Sequence, residues 1–328
     1  MKEEILFFLN EKSDFISGEE ISNMLGVSRA AVWKHIKALK EEGYVIESIS
    51  RKGYKLIKSP DLLTEEEIRK YIKTNFIGKV IKHFDSINST NIKAKELADS
   101  GAINGTVVIS EEQLSGKGRL GRNWISPKYK GIWMSIILRP EIAPTLIAKI
   151  TQVGAAAVIK AGEELGLDMM VKWPNDIIIN GKKICGILTE MSSELNQINY
   201  VILGIGINAN LDLDDFDEEL KNKASSIKIE SNNLINRKEL CGKILNNFEY
   251  LYEKFMLDGK GRDSIDICKE KSILIGKNIN VIKGNVSYSA SVLDLNNDGE
   301  LVIKKENGEI ENLFSGEVSI RGKNGYVI

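Results

Sequence analysis

Gly116-Lys117-Gly118-Arg119-Leu120-Gly121-Arg122 spells G-x-G-x-x-G, which opens a dinucleotide-binding βαβ unit when a strand precedes it and a helix follows. Upstream the condition is met, because Thr106 to Ser110 is an apolar run of strand length. Downstream it is not. Arg122 to Leu138 contains Trp124, Pro127, Gly131 and Trp133 and reads as a loop followed by a strand over Trp133 to Leu138. The glycine loop therefore joins two strands, and no kinase-type Lys-Glu or Asp-Phe-Gly set accompanies it. What it retains is anion chemistry: glycines let backbone N–H groups approach a ligand, and no acidic residue falls between Ser115 and Lys130. Its three cations repel one another unless an anion or solvent separates them, and phosphate is the anion the pattern favours. A surface loop without a ligand is the alternative that this stretch alone leaves open.

Further along, Lys172-Trp173-Pro174-Asn175-Asp176 reads as a strand end and turn, since proline fixes its own φ and biases Trp173 away from helix. Asn175 offers donors and acceptors to an adenine edge, and Asp176 can hold a magnesium ion or a lysine. An Asx turn explains the pair equally well. Lys183 follows the turn pair Asn180-Gly181 and precedes Cys185-Gly186-Ile187-Leu188, either as an active-site cation or as an ordinary hairpin lysine. Gly204-Ile205-Gly206-Ile207-Asn208 closes a buried strand over Tyr200 to Ile207, where the glycines taken alone mark close strand packing. Ile81 to Asp85 is a further strand, Ser89-Thr90-Asn91 opens a helix that closes at Gly101, and Ile147 to Leu165 is a long helix.

The first 60 residues follow a different pattern. Ser17 with Glu20 is a capping box before Ile21 and Leu25, Gly26 supplies a turn, and Ser28 caps a helix that runs to Glu42 and closes at Gly43. This is helix-turn-helix spacing. Val32, Ile36 and Leu39 make the buried stripe of the later helix and leave Arg29, Ala30, Trp33, Lys34 and Lys37 on its other faces. Tyr44-Val45-Ile46 and Tyr54-Lys55-Leu56 flank Ser50-Arg51-Lys52-Gly53 as the hairpin of a winged helix. Residues 28–58 carry eight basic and three acidic side chains, against two and six in residues 1–27. Positive charge thus gathers where a DNA backbone would lie, although the net charge of the chain is -1. A protein–protein module with a solvated basic face is the alternative.

With 42% hydrophobic and 28% charged residues, the 328-residue chain has the composition of a globular protein of two or three domains. Pro60 and Asp61 mark a linker. After Lys271 short alternating strands are separated by turns at Lys283-Gly284-Asn285, Asn297-Asp298-Gly299 and Asn307-Gly308, which predicts a small SH3-like β-barrel. The expectation is an α+β protein with domains at 1–60, 61–270 and 271–328. Cys185, Cys241 and Cys268 with only His35 and His83 make no zinc set and read as reduced thiols. Neither a leader-like start nor an apolar run of about 20 residues is found, which predicts a cytoplasmic protein without a membrane partner.

Jointly, Ser89-Thr90-Asn91, Gln113, Gly116 to Arg122 with Trp124, Lys172 to Asp176, Lys183 with Gly186-Ile187-Leu188, and Gly204 to Asn208 resemble bacterial biotin protein ligases in identity, order and spacing. Ser28-Arg29-Ala30-Ala31-Val32-Trp33-Lys34-His35-Ile36 is similar to the winged helix of the bifunctional members, which also repress biotin operons. Ser315-Gly316-Glu317-Val318-Ser319-Ile320-Arg321 resembles their carboxyl-terminal domain, so the likeness covers essentially the whole chain. The resemblance implies ATP-dependent formation of biotinoyl-5′-adenylate and transfer of biotin to one lysine of a biotin carboxyl carrier protein. It also implies binding of operator DNA with the adenylate as corepressor, and a homodimer in the adenylate-bound state.

By the same resemblance, Ser89, Thr90, Asn91, Gln113, Lys117, Gly118, Arg119 and Lys183 would hold biotin, and Gly116, Arg119, Arg122, Trp124, Lys172, Asn175, Asp176 and Asn208 the ATP or adenylate. Arg119, Arg122 and Lys183 would act in catalysis; Ser28, Arg29, Ala30, Trp33, Lys34, Lys37, Arg51 and Lys52 would meet DNA. Magnesium is expected on the ATP, with Asp176 the candidate protein contact. The chain departs from the commonest family form at Lys117, where arginine is frequent, so a bidentate guanidinium contact is lost there while a backbone contact survives. A related lipoate ligase, and a regulator whose ligase-like domain only senses a small acid, are the remaining alternatives.

Overall fold

The computed structural model describes residues 1–12, 14–41, 43–194, 197–314 and 319–322, and the chain forms two compact units, Met1–Lys70 and Tyr71–Ile328. In the first, α1 (Lys2–Glu11), α2 (Gly18–Leu25) and α3 (Arg29–Glu41) enclose Ile5, Leu9, Ile21, Val32, Ile36 and Leu39. The antiparallel hairpin β1 (Val45–Ile49) and β2 (Gly53–Lys58) closes this core through Ile46. Half of the expected capping box is present: Glu20 N–H donates to Ser17 Oγ at 3.0 Å, while the Glu20 carboxylate pairs with Lys12; Gly26 takes φ 65°, and Ala31 N–H donates to Ser28 Oγ at 3.2 Å. Glu42, the expected last residue of the later helix, lies outside the described residues. The unit does not end at Pro60. A further helix, α4 (Glu65–Arg69), belongs to it, with Glu67 and Ile68 buried. Burial, followed by the neighbouring Glu67 carboxylate, holds the Tyr44 phenol well above its ordinary pKa, and this contact ties α4 to the hairpin.

The second unit contains, in order, β3 (Ile81–Phe84), α5 (Thr90–Asp99), β4 (Val107–Ser110), β5 (Ile132–Leu138), α6 (Ile147–Glu163), β6 (Met170–Lys172) and β7 (Asp176–Ile179). It continues through β8 (Lys182–Glu194), β9 (Gln197–Ile207), α7 (Ile227–Ser231), α8 (Arg237–Asp258) and α9 (Arg262–Glu270). Seven strands pair in the order β3-β4-β5-β9-β8-β7-β6, parallel only between β3 and β4. Between β4 and β5 the glycine loop holds one 3-10 turn, Arg119–Gly121, and no α-helix, so the dinucleotide fingerprint is literal only. Side chains alternate along β9: Ile202 joins Ala94 and Ala98 of α5, whereas a Cβ on Gly154 of α6 would lie 3.2 Å from Leu203 Cδ2. Helices therefore cover both faces.

The chain ends in β10 (Asn278–Lys283), β11 (Val286–Leu295), β12 (Leu301–Lys305), β13 (Ile310–Leu313) and β14 (Ser319–Gly322), an antiparallel sheet ordered β13-β12-β11-β10-β14. Its turns carry Gly284, Gly299 and Gly308 at positive φ, as the sequence predicts for an SH3-like domain. Ser315 to Val318 lie outside the described residues.

The boundary expected after residue 270 is not a break between compact units. Val171 N–H donates to the Lys271 carbonyl at 2.7 Å and Ile273 N–H to the Val171 carbonyl at 3.0 Å, which occupies the open edge of β6. The Gly299 carbonyl accepts from Gln152 Nε2 at 2.6 Å and from Trp173 Nε1 at 3.0 Å, satisfying two buried donors. All three cysteines are free and buried; burial pushes the thiols of Cys241 and Cys268 up to about 12 and raises that of Cys185. No helix of the described residues is long and apolar enough to cross a membrane.

Candidate active site and DNA-facing surface

A cavity of about 690 Å³ in the second unit is floored by β5, β9 and β8. Ser135, Gly204 and Leu188 stand side by side across these strands, and Trp133, Gly206 and Gly186 form the next row. What lies on the floor requires its glycines. A Cβ at Gly204 would overlap Asn91 Oδ1, and one at Gly206 would sit 2.6 Å from Trp124 Nε1.

One end of the cavity is polar and neutral. Gln113 Oε1 accepts from the Thr90 N–H at 2.8 Å and lies 3.1 Å from the Thr90 hydroxyl, while its Nε2 donates to Ser126 Oγ at 2.9 Å. Ser89 occupies the N-cap position of α5 but makes no side-chain cap hydrogen bond, and it lines the cavity instead. Asn91 Nδ2 donates to Glu190 Oε2 at 2.8 Å, and Lys95 Nζ donates to Glu190 Oε1 at 2.6 Å. Burial raises the pKa of Glu190, but the bonds from Lys95 and Asn91 and the charge of Lys117 outweigh it and hold the carboxyl below its ordinary range.

The other end is cationic. Lys183 Nζ lies 2.5 Å from Asp176 Oδ1 and 5.0 Å from the Trp124 ring centroid. Asn175 directs both ends of its amide to other segments: Nδ2 donates to the Ile187 carbonyl at 2.9 Å, and Oδ1 accepts from Arg119 Nη1 at 3.1 Å. The glycine loop is thereby tied to the turn between β6 and β7. The Arg119 pKa is lowered first by burial, with Asp176 opposing and Arg122 adding to the shift. Among the described residues Lys117, Arg119, Arg122, Lys172, Lys183 and Lys223 line the cavity against Asp176 and Glu219, an excess of positive charge that suits phosphate.

All the residues expected around a ligand line this cavity except Gly116, where a Cβ would sit 2.5 Å from the Trp124 carbonyl oxygen; it closes the loop onto Trp124. Asn208 also holds the chain that follows, its Nδ2 donating to the Ser225 carbonyl at 3.0 Å. That stretch contributes Phe216, Glu219, Leu220, Lys223 and Ala224 to the wall, and Lys130 anchors its start through Asp212 at 3.1 Å and Asp215 at 2.6 Å. The sequence reading does not anticipate it, and no motif announces it. Nor does it anticipate Ser135, although a lone hydroxyl inside the apolar run of β5 is a visible cue. No cluster of three or more His, Cys, Asp or Glu able to hold a metal is found among the described residues.

In the first unit, Ser28, Arg29, Ala30, Trp33, Lys34, Lys37, Arg51 and Lys52 are all exposed, Trp33 at 58%. One groove gathers Arg29, Ala30, Trp33, Lys37 and Arg51, while Ser28, Lys34 and Lys52 lie outside it. Lys37 Nζ is 5.9 Å from the Trp33 ring centroid and Lys52 Nζ 6.0 Å from that of Phe15. A bare indole among cations marks a surface that a polyanionic partner can cover.

Three family profiles match in succession: HTH domain over residues 2–55, Biotin/lipoate A/B protein ligase family over 83–208, and Biotin protein ligase C terminal domain over 274–321. The chain is 41% identical over 320 residues to the bifunctional ligase/repressor BirA of Bacillus spizizenii, spanning 97% of this chain and 98% of that one. Its identity to BirA of Escherichia coli is 26% over 318 residues, 96% of each chain. Among solved structures, the biotin protein ligase from Aquifex aeolicus in complex with biotin and ATP aligns with a TM-score of 0.66 at 26% identity, covering 75% of this chain and all (100%) of that one. Identity of 41% across nearly the full length of both chains shows that the protein belongs to the family of bifunctional BirA ligase/repressors.

Proposed function

We propose that the second unit activates biotin with ATP and transfers it to a lysine of a carrier protein, and that the first unit binds operator DNA under control of the adenylate. The observation that carries the enzymatic half is one cavity with an amide-and-hydroxyl end at Thr90, Asn91 and Gln113 and a cationic end at Arg119, Arg122 and Lys183. The first suits a bicyclic urea and the second a polyphosphate. A biotin carboxylate oxygen attacks the α-phosphorus of ATP, the bond to the bridging oxygen breaks, and pyrophosphate leaves. The carboxylate is already a nucleophile, so no base is required. Arg119, Arg122 and Lys183 offset the repulsion between two approaching anions, and Asp176 holds Lys183 in place. The unprotonated amine of the carrier lysine then attacks the acyl carbon, and AMP departs with the bonding electrons.

Magnesium, carried on ATP, would supply charge neutralisation at the leaving pyrophosphate. Among the described residues Asp176 and Glu219 are the acids that line the cavity, and Asp176 beside Lys183 is the candidate contact. The site of action is the cytoplasm, where ATP, carrier and operator meet. α3 supplies one recognition helix per chain, so a palindromic operator requires a homodimer.

Purified protein with magnesium and ATP is expected to release pyrophosphate on addition of biotin. Release with lipoate but not with biotin would overturn the substrate assignment.

A further inference from the structure

Strand β5 is buried along its whole length and apolar except at Ser135. Ser135 does not line the cavity, yet its Oγ lies 2.6 Å from Asn91 Oδ1 and 2.8 Å from Thr90 Oγ1, on two residues that do. A serine has one hydroxyl proton, and its neighbours decide where that proton points. Asn91 Nδ2 donates to Glu190 Oε2 at 2.8 Å, which turns the acceptor Oδ1 toward Ser135. The Ser135 proton therefore points at Asn91, and the lone pairs of its oxygen face Thr90. On the other side of Thr90, Gln113 Nε2 donates to Ser126 Oγ at 2.9 Å, which turns Gln113 Oε1 toward Thr90, 3.1 Å from its hydroxyl. Two acceptors thus flank the Thr90 hydroxyl, and its proton goes to one of them. What Thr90 Oγ1 retains for a ligand is a lone pair.

We propose that Ser135 is a specificity-determining positioning residue: it helps commit the Thr90 proton to the protein, so that Thr90 Oγ1 selects a ligand carrying an N–H there over one carrying an ether oxygen. This rests on the reading of the cavity as a biotin pocket, since the cyclic urea of biotin carries such N–H groups. Without the Ser135 oxygen, Thr90 loses one of its two acceptors and turns its proton into the cavity more readily. The selection then relaxes.

The test compares biotin with its two cyclic carbamate analogues, in each of which one ureido N–H is replaced by oxygen, in pyrophosphate release by the full chain. The wild-type protein is expected to disfavour one carbamate by about 100-fold in kcat/KM, because two acceptors then face each other. Ser135→Ala is expected to cut that preference about tenfold while leaving the KM for ATP unchanged. Thr90→Val, which leaves β5 intact, should abolish the same preference, and adding Ser135→Ala to it should change the ratio no further. A full preference in either single variant, or an equal effect of Ser135→Ala with and without the Thr90 hydroxyl, overturns the proposal. Wild-type protein that ignores biotin overturns the cavity reading as well.

Discussion

Lys183 stands between a carboxylate and an indole, so its removal does more than delete a cation. In Lys183→Ala the Asp176 carboxylate would face the incoming phosphates without its partner at 2.5 Å, adding repulsion to lost attraction. Loss of one charge-stabilising donor typically costs about 100- to 1000-fold in rate. Pyrophosphate release should slow by about that factor, with biotin affinity changed far less. Glu190 gives a pH dependence whose sign follows from its depressed carboxyl pKa. Its hold on Asn91 is complete above the ordinary glutamate value of about 4.3 and is lost as pH falls through the lower folded value. Biotin affinity measured by fluorescence titration should therefore be flat from neutrality to about pH 5 and weaken only below it. Glu190→Gln keeps an acceptor for Asn91 and does not titrate, so the acid limb should flatten; an unaltered limb would assign it to another group. The motif residues at this scale were legible because charge and backbone freedom are local properties. Glu190 and Ser135 were not, because their roles exist only once β8 and β5 bring them against Asn91.

Among the elements, β9 illustrates how a strand can be shaped by what rests on it. Gly204 and Gly206 lie on one face, beneath Asn91 and Trp124 respectively. An added methyl that meets a packed side chain costs about 1–3 kcal/mol. Expressed wholly in binding, that is about 5- to 150-fold in an apparent constant. Gly206→Ala should raise the KM for ATP by an amount in that range, and Gly204→Ala should raise the KM for biotin; the reverse assignment would refute the placement of the two ligands. Most elements were readable because their periodicity and caps are carried in the sequence, as at Ser17, Ser28 and the three C-terminal turns. α1 was not, since Met1 offers it no side-chain cap. α4 was hidden for a different reason: it is a five-residue helix with three glutamates, and one of these, Glu67, is buried against expectation for a charged side chain.

For the whole molecule, the unit boundary at Lys70 decides how its two activities are separated. A cut after residue 60 would leave α4 on the ligase fragment without Tyr44, its partner in the other fragment. A fragment beginning at Tyr71 is expected to release pyrophosphate at the full-chain rate and to bind no operator. In a mobility-shift titration on a biotin-gene promoter, the full chain should bind more tightly with biotin plus ATP than without, because ligand binding and DNA binding are coupled. Equal affinity in every ligand state would remove the sensor role. The order of the three sequence patterns was legible, but the fusion of the last two was not: it depends on backbone groups of Val171, Lys271 and Gly299, whose partners lie far away in the chain and are named by no local pattern.

The Gly299 carbonyl also imposes an order on how the protein comes into being. Trp173 sits in the cavity wall, and the acceptor that satisfies its indole lies far downstream, in the turn between β11 and β12. A ribosome delivers Trp173 long before it delivers Gly299. The nascent enzyme therefore carries an unfinished wall through the late stages of synthesis and completes it only as the C-terminal sheet emerges. A message ending early, just after α9, would yield a protein that keeps every charged residue of the cavity but lacks the support of Trp173, so its defect would not show in an inventory of catalytic side chains.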